Sequence, residues 1–244
     1  MGKTALAGFI AANVAERGVV FVTLEMTAAE LGQRWLSNVT RIPYEDMQRG
    51  RMEGSDFQRL LTAKRDYLDK WKLHVVDRAR LSIQEIRSFV RQAQRHGEIA
   101  LVVIDYLQLA RPEATYRGNM VAEITEISGG LKALAKDCNV GLLALSQLSR
   151  AVEGRDDKRP GLSDLRQSGA LEQDADAVLF IYREEYYLTR HPLDENHPKY
   201  ADWAARLAAV RNTADVIVGK QRMGRTGAVK LFYDPRYARF GNLS

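Results

Sequence analysis

Ile99-Ala100-Leu101-Val102-Val103-Ile104-Asp105 is an apolar run closed by a carboxylate, and Tyr106-Leu107-Gln108-Leu109 follows it. A continuous apolar run reads as a strand buried on both faces, so Asp105 is delivered to the strand's C-terminal edge. In open α/β sheets that edge is where ligands bind. An acid capping a strand is common by itself. It gains weight because the sequence opens Met1-Gly2-Lys3-Thr4, the closing part of a phosphate-binding loop. Such a loop offers backbone N–H groups to phosphates, a Lys to the β/γ-phosphates and a Thr hydroxyl to Mg²⁺, while a strand-end Asp holds the same ion through water. Gly2, Lys3, Thr4 and Asp105 together point to a nucleoside triphosphate, with Thr4 and Asp105 as the residues for the metal.

The residues after the tetrad support this. Leu6, Phe9, Ile10, Val14 and Ala15 form a stripe at helical spacing, Gly18 stops it, and Val19-Val20-Phe21-Val22 reads as a strand. Loop, helix, strand is the order the motif requires. The full pattern also has an earlier Gly and a preceding strand. A chain that starts at Met1 is therefore expected to lack half of the loop's N–H donors, to leave neighbouring strands unpaired, and to be poorly stable and weak in ATP binding.

Further on, helices and strands alternate. Ser55 to Trp71 carries Phe57, Leu60, Leu61, Leu68 and Trp71 on one helical face, and Leu73 to Val76 reads as a short strand. Ser82-Ile83-Gln84-Glu85 is a capping box that opens a helix with Ile83, Ile86, Val90 and Ala93 toward the core, ending at Gly97. After the Asp105 strand, a long helix is expected from about Asn119 to Asp137, then strands at Gly141–Leu145, Ala177–Tyr182, Val216–Lys220 and Ala228–Tyr233, the last two joined by a Gly224-Arg225-Thr226-Gly227 turn. The alternation implies one α/β domain over 1–244, with a mainly parallel central sheet, helices on both faces and a C-terminal β-hairpin. Residues 188–213, rich in Pro, His and charge, read as a surface insertion. Gly129-Gly130 falls inside the long helix, where each glycine costs about 1 kcal/mol relative to Ala.

Composition bounds the rest. The chain has 244 residues, 45% hydrophobic and 27% charged, which gives an ordinary globular protein with one large core. No apolar stretch reaches the length of a membrane span and no signal peptide opens the chain, so a cytoplasmic protein without a membrane partner is expected. A single cysteine fits a reducing compartment; Cys138 continues the series Met120, Ile124, Ile127, Leu131, Leu134 and reads as a core thiol. The net charge of +5 permits a nucleic-acid partner without demanding one. His74, His96, His191 and His197 lack ligand spacing, so no zinc site is expected.

An ordered set of motifs then carries a resemblance. Gly2-Lys3-Thr4-Ala5; Leu24-Glu25-Met26-Thr27 with Leu31 and Arg34; Val103 to Leu109; Ala144-Leu145-Ser146-Gln147-Leu148-Ser149-Arg150; Asp157-Lys158-Arg159-Pro160; Ser163-Asp164-Leu165-Arg166 with Ser168-Gly169; Glu172-Gln173-Asp174-Ala175-Asp176; and Lys220-Gln221-Arg222 with Gly224 follow one another over nearly the whole chain. In that order they resemble the C-terminal ATPase domain of bacterial replicative DNA helicases of the DnaB type. The resemblance implies a RecA-like P-loop NTPase fold, ATP and Mg²⁺ as cofactors, a homo-hexamer, and single-stranded DNA as partner. It also implies a primase and a helicase loader for a full-length member of the family.

The resemblance carries roles onto residues. Gly2, Lys3, Thr4 and Ala5 would bind ATP, Glu25 would activate the attacking water, and Arg34 and Gln147 would face the nucleotide. Arg166 with the backbone of Gln167 and Gly169 would clamp single-strand phosphates, although Gln167 stands where the family usually has Glu. Lys220 and Arg222, two residues apart on one strand face, would reach the γ-phosphate of a neighbouring subunit. Each residue also has a plainer reading. Glu25 alone is a solvated acid, Arg34 a surface ion pair, residues 150–169 a surface loop, and Lys220 with Arg222 two solvated cations. The alternatives for the whole chain are a non-catalytic remnant that binds DNA or helicase subunits, or another RecA-like ATPase such as a recombinase or a KaiC-like protein.

Overall fold

The computed structural model describes residues 2–116 and 118–243, with the side chains of residues 166–168 left outside the description. Four strands, β1 (Val19–Thr23), β2 (Leu73–Val76), β3 (Leu101–Asp105) and β4 (Gly141–Ala144), form a wholly parallel sheet in the order β2-β1-β3-β4. Their apolar runs explain the placement. β1 is buried from end to end and β3 over Val102–Asp105, which only a sheet covered on both faces provides.

Alternation along these strands splits the core in two. Val20, Val22, Val102 and Ile104 face α5 (Ile83–Gln94) and α6 (Met120–Cys138), packing with Ile86, Val90, Ile127, Leu131, Leu134 and Cys138. Val19, Phe21 and Val103 face α1 (Lys3–Val14) and α2 (Ala28–Thr40). The capping boxes act as expected: Ser82 with Glu85 starts α5, and Thr27 with Glu30 starts α2. Asn119 caps α6 through its side chain. Gly130 has a reason in this packing, because a Cβ there would sit 3.2 Å from Ile83 of α5; Gly129 faces open space.

α1 differs from the expected stripe. It buries Ala7 and Ala11 against the sheet, at 2% and 0% exposure, while Leu6 and Phe9 turn to a third cluster with Ala5, Ala214, Tyr233 and Phe240. Small side chains let α1 lie close to the strands. Trp35 of α2 closes the same layer. Its ring meets Phe21 edge-on at 5.5 Å and Trp71 at 6.4 Å, and its indole N–H donates to Gly8 O in α1 at 2.9 Å.

Two short helices, α3 (Tyr44–Gln48) and α4 (Gly54–Asp66), lead from α2 to β2. Phe57 and Leu61 of α4 face outward, 53% and 62% exposed, so the face they share is not a core face. After β4 the chain makes two 3₁₀ stretches, Arg150–Gly154 and Leu162–Ser168, then α7 (Gly169–Asp174). A second sheet follows: β5 (Ala177–Tyr182), β6 (Thr213–Gln221), β7 (Gly227–Asp234) and β8 (Arg239–Gly241), antiparallel in chain order, with α8 (Glu184–Arg190) and α9 (Tyr200–Val210) between β5 and β6. The antiparallel part is thus four strands wide, larger than the expected hairpin. Among the described residues β4 pairs only with β3, and β5 only with β6. No helix among them is long and apolar enough to cross a membrane.

Candidate active site

Three parallel strands end at one edge, and each brings a polar group there. Asp105 closes β3, Glu25 follows β1, and Ser146 and Gln147 follow β4. α1 starts at the same edge. Its cap, Gly2, has φ 106°, a left-handed conformation that suits glycine. Thr4 Oγ1 donates to Asp105 Oδ2 at 2.7 Å, and Lys3 Nζ donates to Ser146 O at 2.7 Å. Asp105 is 3% exposed. Burial pushes its carboxyl above the ordinary carboxylate range, against the Thr4 hydrogen bond and the Lys3 charge, which pull it down. Burial likewise lowers the Lys3 ammonium, against the attraction of Asp105 and Glu25. Both groups are held at a cost in their charged forms, so a cation beside Asp105 and an anion beside Lys3 would each relieve them. Glu25 is exposed and close enough to act on both charges.

Gln108 ties the edge together, a role the sequence did not announce. Its amide nitrogen donates to Ser146 Oγ at 2.9 Å and to Gln147 O at 3.3 Å, while its Oε1 accepts from Gln147 N at 3.2 Å. The Gln147 side chain is left exposed beside it. Arg34 stands over the Tyr44 ring at 5.4 Å with a buried Nε that has no partner among the described residues, and its charge reaches Asp105. Ala5 is buried in the third apolar cluster.

A second missed pair lies beside Gly2. The Arg183 guanidinium stacks on Tyr233 at 4.5 Å and pairs with Glu185 at 2.9 Å, with Arg183 Nε buried and unpartnered among the described residues. A Cβ on Gly2 would meet the Tyr233 ring at 3.9 Å. These contacts join residues far apart in the chain, so no local pattern marks them.

Gly169 opens α7, while the side chains of Arg166 and Gln167 lie outside the described residues. Lys220 ends β6 with Gln221, and Arg222 follows. Lys220 Nζ donates to the carbonyls of Glu172 and Gln173; Arg222 pairs with Asp176 at 2.9 Å and donates to Gln173 O at 3.3 Å. Among the described residues their hydrogen bonds all go to residues 172–176, none to the Lys3–Thr4–Asp105 cluster. The largest cavity among the described residues, about 640 Å³, lies at the other end of the sheet, where Ile10, Val14, Ile99 and Cys138 line it. That is the N-terminal end of β3, away from the edge where α/β folds bind ligands.

The DnaB-like helicase C terminal domain family matches residues 1–242. The chain belongs to that family. Its 244 residues align at 43% identity with the replicative DNA helicase DnaB of Rickettsia felis, over the whole chain and 51% of that protein, and at 37% with the DnaB of Buchnera aphidicola, over the whole chain and 50% of that protein. The chain thus spans about half the length of the curated relatives it matches. Among solved structures, an isolated ATPase domain superposes with a TM-score of 0.85 at 35% identity, covering the whole chain and 81% of the other. A DnaB-like replicative helicase, described with its interactions with primase, superposes at 0.86 and 36%, covering the whole chain and 55% of the other. The RadB recombinase, at 0.50 and 14% identity, shares the fold alone. Family membership makes the parallel sheet with its antiparallel extension a RecA-like ATPase fold, as in the DnaB-type domains.

Proposed function

We propose that this chain is the ATP-hydrolysing motor domain of a hexameric replicative DNA helicase, working in the cytoplasm on single-stranded DNA. The observation that carries it is the meeting of Lys3, Thr4, Asp105 and Glu25 at one strand edge, in a chain of the DnaB family. Lys3 would bind the β/γ-phosphates, and the Gly2–Ala5 backbone would open α1 toward them. Thr4 and Asp105 fit Mg²⁺: they are hard oxygen donors already 2.7 Å apart. Among the described residues no three His, Cys, Asp or Glu side chains gather into a protein-only metal cage, and Mg²⁺ leans on substrate phosphates in such sites. When bound, the ion supplies charge neutralisation at those phosphates.

Glu25, exposed beside Asp105, would orient the attacking water and accept its proton. The Arg183–Tyr233 stack beside Gly2 offers a flat face for a nucleobase. Arg34 and Gln147 would sense the phosphates, with Gln108 holding the Gln147 backbone in place. Lys220 and Arg222 would act across a subunit interface on the γ-phosphate of the next subunit, which makes the ring a condition of turnover. The Arg166–Gly169 stretch would grip single-strand phosphates. In the longer protein, primase and a loader would be further partners. Glu25→Gln is the direct test: ATP should still bind, while turnover falls roughly 10²- to 10⁴-fold as the water loses its base. Near-normal turnover would remove Glu25 from the mechanism.

A further inference from the structure

The Glu172–Asp176 motif takes part in no step above, yet it touches both halves of the machine. α7 is six residues long, a strut of about 9 Å. Its N-terminal end is Gly169, in the stretch assigned to DNA. Its other end presents backbone carbonyls that lack helical partners, as every helix C-terminus does. Three cations satisfy them. Lys220 donates to Glu172 O and Gln173 O, Arg222 to Gln173 O, and Lys132 of α6 to Asp174 O. Asp176 adds a carboxylate that pairs with Arg222 at 2.9 Å and with Lys132 at 3.6 Å, and its carbonyl accepts from Arg222 N at 2.8 Å. Ser128 Oγ fixes the same end to α6 through Asp174 at 2.6 Å.

We infer that α7 is a strut joining the DNA contact at Gly169 to the fingers Lys220 and Arg222, with Asp176 as the positioning residue that aims the Arg222 guanidinium. This rests on the helicase-motor reading. An arginine side chain loses much rotamer freedom when fixed, and a carboxylate that holds one edge of the fork sets its direction in advance. The Asp176 and Arg222 side chains are 75% and 52% exposed, so the pair is weak enough to shift as α7 shifts. DNA pressing on the Gly169 end would therefore move the carbonyls and the carboxylate that hold the fingers.

The test is ATP turnover by the assembled full-length protein, with and without oligo(dT), for the wild type, Asp176→Asn, Asp176→Glu and Ser128→Ala. Asp176→Asn should lose most of the stimulation by oligo(dT), about tenfold, within the usual range for coupled sites. Its KM for ATP and its affinity for oligo(dT) should stay within about twofold of the wild type. Asp176→Glu should recover part of the stimulation, and Ser128→Ala should lose some through a looser strut with the fingers untouched. Stimulation retained in Asp176→Asn, or lost only in step with oligo(dT) affinity, overturns the strut. A wild type that oligo(dT) does not stimulate overturns the motor reading itself, and the strut with it.

Discussion

The nucleotide edge and the stretch from Arg150 to Gly169 are held in opposite ways. At the edge, Asp105 and the start of α1 are fixed by buried strands and by apolar layers on both faces of the sheet. The Arg150–Gly169 stretch carries few apolar anchors and is held by charge. Arg155 pairs with Asp164 at 2.8 Å, and Arg159 pairs with Asp215 at 2.5 Å while stacking on Tyr182 at 4.9 Å. The two acids are nearly buried, at 6% and 11% side-chain exposure, and the two arginines are about half exposed. Apolar layers resist small displacements because any gap forfeits contacts. Ion pairs at a surface can exchange partners. A motor needs one part that keeps its geometry through the cycle and one that yields, and the two regions divide along that line.

The largest expected effect breaks the comparison at the subunit interface. Lys3→Ala, which spoils the rigid edge, and Arg222→Ala, which spoils the finger, should each lower ATP turnover by about 10² or more. Mixed in one ring, the two variants should recover part of it, since some interfaces then join an intact loop to an intact finger. No recovery in demonstrably mixed rings would mean that the finger does not act between subunits.

Next comes the yielding region. Arg166→Ala should weaken single-strand binding about equally for all sequences and lower the slope of log affinity against log salt by about 0.7, the value for one phosphate contact. A changed sequence preference with the same slope would mean that Arg166 reads bases. Asp215→Ala should strip Arg159 of its nearly buried partner and lower stability by about 1–3 kcal/mol. Limited proteolysis should then cut within residues 150–169 before anywhere else. Protection equal to the wild type there would show that charge does not hold the stretch.

The smallest effect sharpens the account of the rigid edge. Asp105 bears a raised carboxyl, so its ionised form weakens the ligand-free fold at neutral pH. Asp105→Asn should therefore melt a few degrees higher while losing Mg²⁺-dependent ATP binding. The sign follows from the direction of the shift. Below the ordinary carboxylate range the group is protonated both folded and unfolded, and the advantage of the variant should vanish. Above the raised value the penalty is complete and the gap between variant and wild type widest. A gap that grows toward acid would contradict the assigned shift.

What was legible in the sequence was local. The apolar run before Asp105 fixed β3 and its edge, capping residues fixed the starts of α2, α5 and α6, and the strands of both sheets fall where apolar runs were bounded by turns. The buried face of α1 was not legible, because large apolar residues dominate any stripe read along the chain, whereas the close approach to the sheet selects Ala7 and Ala11. The width of the antiparallel sheet, the Arg183–Tyr233 stack, the Gln108 bridge and the Arg222–Asp176 pair were not legible either. Each joins residues tens of positions apart, and a pair contact of that kind leaves no periodicity. For the site, the residue types and their edge were readable from motifs; the partners that hold them were not.

Trp35 carries one further consequence. Its indole is buried against Phe21 and Trp71 and donates to a carbonyl of α1, the helix that starts at Gly2 and Lys3. A chromophore is thus built into the frame that holds the phosphate-binding residues. Emission from an indole depends on its hydrogen bond and on the polarity around its ring. Small shifts of α1 along the sheet are therefore written into the protein's own fluorescence, and the loop reports its movements without any label.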